Sequence, residues 1–182
     1  LDGTGVQVEV TDQTKLTMAN CVIRKSTGNA VKASRNSTVH ISDSQIAEHR
    51  LPQIVINDSS LIFRNSELID GERNGFIIEN HSEAHIQDSF ISKHRYPQLW
   101  IDKNSTVELK MTQVTEGKES DIYVQNNSSV YGDQCIIRND RFKFNVQAVN
   151  FSRIELTHSI VENSIGDEFY IENNSYITHK VD

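Results

Sequence analysis

The most chemically loaded side chains of this 182-residue chain sit in two copies of one motif, Glu48-His49-Arg50-Leu51-Pro52-Gln53 and Lys93-His94-Arg95-Tyr96-Pro97-Gln98, 45 residues apart. Together with Arg73, the residues His49, Arg50, His94, Arg95 and Tyr96 supply cationic and titratable groups of the kind that hold an anion or exchange protons near neutral pH. A second set, His40, His85 and Glu108, and a third, Asp43, Asp88 and Asp133, recur at intervals close to 23 or 45 residues. Two cysteines, Cys21 and Cys135, have no adjacent His that would make either a nucleophile and are expected in ordinary structural roles. Whether any of these makes a site depends on what the spacing becomes in three dimensions.

The spacing is that of a repeat. An apolar pair two residues apart begins at Val8, Val31, Ile54, Phe76, Leu99, Ile122, Val146 and Phe169, at intervals of 22 to 24 residues that fill nearly the whole chain. A polar turn follows each pair, as in Asn57-Asp58-Ser59 and Asn126-Asn127-Ser128, and then a second apolar pair such as Leu61 and Phe63 or Val107 and Leu109. A second corner brings Cys21, Ser44, Ser66, Ser89, Thr112 and Ser159 into register, with Gln134 expected as the exception. A brief third strand then sends Ile23, Ile46, Leu68, Ile91, Val114, Ile136 and Val161 inward. Units this short cannot bury a face alone, so they must stack as a solenoid. The spacing predicts an all-β, single-stranded parallel β-helix of about 8 coils with three short parallel sheets, forming one domain over residues 1–182. With no cap visible at either end, the chain reads as a fragment of a larger protein.

On these repeating strands and corners the chain resembles the right-handed parallel β-helix proteins of the pectin lyase-like class. Members of that class that cleave polysaccharides bind calcium through carboxylates clustered on one sheet, or group Asp residues for hydrolysis. The resemblance therefore raises a carbohydrate-binding or carbohydrate-cleaving reading. The outward positions of the second strand here are Thr17, His40, Ile62, His85, Glu108, Tyr131, Glu155 and Thr178, which lack such a cluster. The expected catalytic, metal and cofactor sites are accordingly none. Coils of 22 to 24 residues also leave little chain for the walls of a cleft.

The outward positions of the first strand are more suggestive. Val55, Ile77, Trp100 and Tyr123 should form a continuous apolar stripe about 15 Å long. The stripe either strengthens its own sheet, meets another protein or a flanking domain, joins two copies as a homodimer, or stacks on sugar rings. The third corner, which leads into this strand and includes Asp70-Gly71-Glu72-Arg73 and Arg138-Asn139-Asp140-Arg141, varies most. Its His49, Arg50, Arg73, His94, Arg95 and Tyr96 are expected as the polar rim of the same surface, or else as solvated corner residues. Alternate coils stand nearly 10 Å apart, too far for a compact acid–base pair.

Composition narrows the partners. With 25 Asp and Glu against 18 Lys and Arg, a net charge of -7 and no basic run, no nucleic-acid partner is expected. No apolar run approaches the ~20 residues of a bilayer span, so membrane insertion is not expected. Cys21 and Cys135 should lie about 24 Å apart along the stack, beyond disulfide reach. Free thiols favour a cytoplasmic compartment, with export left open.

Overall fold

The computed structural model describes residues 3–139 and 142–181. Asp140 and Arg141 of the sixth third-corner segment lie outside the described residues, as do Leu1, Asp2 and Asp182. The chain winds as a parallel β-helix with three sheets. Sheet one has eight strands from Val8–Val10 to Phe169–Ile171, and sheet two has eight from Lys15–Ala19 to Tyr176–Lys180. Sheet three has seven, from Val22–Ser26 to Ile160–Glu162.

Every strand pairs with its equivalent one coil away, so side chains of one kind form columns along the axis. Val31, Ile54, Phe76, Leu99, Ile122 and Val146 stack in sheet one and are wholly buried. Val39, Leu61, Ala84, Val107, Val130 and Ile154 do the same in sheet two. Phe63 and Phe76 meet edge to face across the lumen with ring centres 5.3 Å apart. This is why a chain only 36% hydrophobic folds: nearly every inward position is apolar and each is shielded by the coils on both sides.

Corners are built from two devices. The first is left-handed backbone, which non-glycine residues adopt at all three corners. Examples are Asn126 and Asn127 at the first (φ 53° and 59°), Asp88 at the second (51°) and Asp70 at the third (55°). The second is a hydroxyl ladder. In the first corner the backbone N–H of Ser37, Ser59, Ser82 and Ser105 each donates to the Ser Oγ of the next coil, at 3.1 to 3.2 Å. Cys21, Ser44 and Ser66 repeat the pattern in the second corner, donating to Ser44, Ser66 and Ser89 at 3.0 to 3.3 Å. These side chains satisfy amides that the turn removes from the sheet ladders.

The register corrects one stretch of the sequence reading. Val114 pairs with Ile137, and Ile137 with Val161, so Ile137 rather than Ile136 points inward and is fully buried. The same one-residue shift returns Cys135 to the small-residue column: its N–H donates to Ser159 Oγ at 3.0 Å. Gln134 instead takes the left-handed corner position at φ 54°, aligned with Met111 and His158. The apolar pair Ile136-Ile137 allows either alignment by pattern alone, and the buried corner hydroxyl decides between them.

Candidate functional site

The column Lys32-Val55-Ile77-Trp100-Tyr123-Gln147-Tyr170 runs in register down the outer face of sheet one. Val55, Ile77, Trp100 and Tyr123 are all half-buried, because neighbours in adjacent coils cover their flanks. Trp100 and Tyr123 lie ring against ring, with centroids 5.1 Å apart and planes tilted by 37°. Burial, and then the carboxylates of Glu172 and Asp102, push the Tyr123 phenol above its usual range, so it stays a neutral donor. Farther along, Tyr170 packs on Phe144 at 5.0 Å, under the Lys143 ammonium 4.9 Å from the Phe144 ring centre. Phe144 extends the aromatic surface from the third corner, a position that the strand pattern does not single out.

The expected polar rim divides in two. Arg50, Arg73, Arg95 and Tyr96 are exposed at the third corner. Backbone bonds place Arg50, Glu72, Arg95 and Lys118 in one column, since their N–H groups donate in turn to the carbonyls of Ser26, His49, Gly71 and His94 one coil below. Arg73 falls one residue later and lays its guanidinium 4.8 Å from the Tyr96 ring centre. His49 and His94, by contrast, are 0% exposed and leave the rim altogether. They point into the helix lumen, where His49 Nε2 lies 2.7 Å from Gln7 Oε1 and His94 contacts Gln53 and Gln98. Burial pushes both imidazoles down to about 4; a backbone contact with Ala47 and the Glu48 charge oppose it at His49, and Gln98 and Asp70 oppose it at His94.

The physical reason for this inversion is steric. His49 and His94 alternate along the corner with Gly71 and Gly117, and a Cβ on Gly71 would stand 2.4 Å from His94 Cδ2. The glycine coils leave the room that the rings fill. The 45-residue recurrence of His-Arg-X-Pro-Gln marks that two-coil alternation, and it is the sequence signal for a buried polar network that charge counting overlooks.

On sheet two, His85 is bracketed by Glu108 (Nδ1, 2.8 Å) and Glu83 (Nε2, 3.1 Å), so both ring nitrogens already face carboxylates. His40 pairs in register with Thr17 and Ile62, two coils from His85. Among the described residues no group of three or more His, Cys, Asp or Glu side chains is arranged to hold a metal ion. Cys21 and Cys135 are free thiols. Burial raises the Cys135 pKa, the opposite of an activated nucleophile.

No helix among the described residues is long and apolar enough to cross a membrane. Among curated proteins the chain has no match. The family model described as a right handed beta helix region matches residues 4–180, in keeping with three stacked parallel sheets and with the pectin lyase-like resemblance, and the chain belongs to that family.

Proposed function

We propose that this β-helix is a noncatalytic recognition or scaffold module, a domain of a larger protein, that meets another protein, a flanking domain or a second copy of itself through the Val55-Ile77-Trp100-Tyr123 face. The observation that carries this reading is the in-register apolar column ending in the stacked Trp100–Tyr123 pair on an outer sheet face. Aromatic side chains of this kind supply large contact area with few rotatable bonds, which suits the centre of an interface. Arg50, Arg73, Arg95 and Tyr96 are exposed at the adjoining corner and would form its polar margin.

Polysaccharide binding is the second reading, favoured by the same two rings, which present sugar-stacking surface. Its polar half is weaker. Glu108 is engaged by His85 at 2.8 Å, and His49 and His94 are buried. What remains is ring stacking with little to orient a bond for cleavage.

The test compares the wild-type chain with Trp100→Ser/Tyr123→Ser. Solution mass across a concentration series comes first: a dimer that dissociates in the variant supports self-assembly through this face. For a monomeric wild type, bait comparison and affinity electrophoresis in polysaccharide gels follow. A protein or glycan retained by wild type and released by the variant supports the face. Binding unchanged in a variant that keeps its β spectrum removes it.

A further inference from the structure

His94 is wholly buried, and both of its ring nitrogens meet amide oxygens. Nδ1 stands 2.9 Å from Gln98 Oε1 in its own coil, and Nε2 stands 3.0 Å from Gln53 Oε1, which reaches across the coil that carries Gly71 and Gly75. The orientation of each amide is fixed from its other end. Gln98 Nε2 donates to Thr115 O at 2.6 Å and to Asp121 Oδ1 at 2.8 Å, while Gln53 Nε2 donates to Ile69 O at 2.7 Å. Turning either amide over would set oxygen against oxygen.

A neutral imidazole carries one N–H and can serve only one of these two acceptors; its second ring nitrogen then turns a lone pair toward an oxygen lone pair. An imidazolium donates to both. We propose that the Gln53-His94-Gln98-Asp121 chain is a proton-uptake site built into the third corner, in which His94 takes a solvent proton in place and the Asp121 carboxylate balances the charge through the Gln98 amide. Acid is then registered inside the helix without the corner opening.

The charged groups around the ring fit this arrangement. Asp70 and Glu72 lie on the corner of the coil below, Lys93 and Arg95 flank His94 in its own corner, and Glu116 and Lys118 lie on the coil above. Asp70, Glu72, Lys93, Arg95, Glu116 and Lys118 are exposed, so water screens them. Asp121 is 0% exposed and accepts from Gln98 Nε2 at 2.8 Å, which puts its carboxylate in the same buried hydrogen-bonded chain as the ring. His49 provides the internal comparison. It is equally inaccessible, but it meets one side-chain amide, that of Gln7, together with the Ala47 backbone. Burial opposes a proton on both rings; a second side-chain amide and a buried carboxylate in the same hydrogen-bonded chain are found at His94 alone.

The experiment is an NMR titration of the ring nitrogens in the intact chain from pH 8 to 3, following amide dispersion in the same samples. The expected result is that His94 reaches the imidazolium pattern while the amide spectrum stays dispersed, with a midpoint resolved above that of His49. Asp121→Asn should lower the His94 midpoint and leave that of His49 unmoved. A His94 that remains neutral until dispersion is lost, or that titrates together with His49, overturns the proposal from the wild-type data alone. An Asp121→Asn variant that folds with an unchanged His94 midpoint overturns the counter-charge.

Discussion

A fully buried histidine opposite a glycine makes a contact that one methyl group tests. The Cβ of Gly71→Ala would lie 2.4 Å from His94 Cδ2, and the ring is held on both sides by hydrogen bonds. Overpacking of this sort costs about 1–3 kcal/mol, and urea unfolding should show the loss. In a His94→Ala background the added methyl enters the vacated space, so the two changes should be far from additive. The same burial sets a pH dependence. Both His49 and His94 are pushed down to about 4, below the ordinary value near 6.5 that they regain on unfolding. A lowered folded-state pKa means that the unfolded chain binds more protons between those values. The stability contribution is therefore complete above pH 6.5 and is lost progressively as the pH falls toward 4. Urea midpoints measured across that window should decline, and His49→Gln should reduce the slope.

Corner and strand differ in how openly the amino-acid pattern declares them. Strand positions in sheets one and two are readable because side-chain identity and direction coincide: the columns beginning Val31-Ile54-Phe76 and Val39-Leu61 recur at coil spacing and are all buried. The outward Trp100-Tyr123 pair follows from the same alternation. The third corner was not readable that way. His49 and Arg50 are adjacent and both polar, yet one is buried and the other exposed, because direction there depends on the room left by glycines in the coils between. The first corner yields a sharper test of its hydroxyl ladder. Ser82 Oγ accepts the Ser59 N–H at 3.2 Å and itself donates toward Glu79 O, so Ser82→Ala strands a buried amide and should cost about 1–3 kcal/mol. Ser152 Oγ is buried with no hydrogen-bond partner among the described residues, and Ser152→Ala should be nearly neutral. Left-handed corners occupied by Phe151 (φ 63°) and Met111 (φ 46°) point the other way. Asn tolerates this backbone better, so Phe151→Asn and Met111→Asn should each raise the thermal midpoint, by the equivalent of roughly 0.5–1 kcal/mol.

Because each coil contacts only its neighbours, a solenoid ordinarily accepts the loss of one unit. The buried polar corner makes this one count in twos. Deleting the 22 residues Arg50–Gly71 removes a coil's worth of chain and keeps every sheet continuous, but it joins His49 to Glu72 and so sets His49 where Gly71 had been. That position has no room beneath His94 even for a Cβ. Deleting the 45 residues Arg50–His94 removes two coils, and with them twice as many buried apolar residues, yet joins His49 directly to Arg95-Tyr96-Pro97-Gln98. Gln98 then stands four residues after His49, as it stands after His94 in the intact chain, and Gln7 already supplies the amide that Gln53 supplies to His94. Nearest-neighbour stacking alone ranks the shorter deletion as the milder. The alternation of His and Gly reverses that order. Circular dichroism melts of the two deletions decide it: the 45-residue deletion should unfold in one cooperative step above the 22-residue deletion, and the opposite ranking would mean that the polar corner follows the coils rather than setting their register.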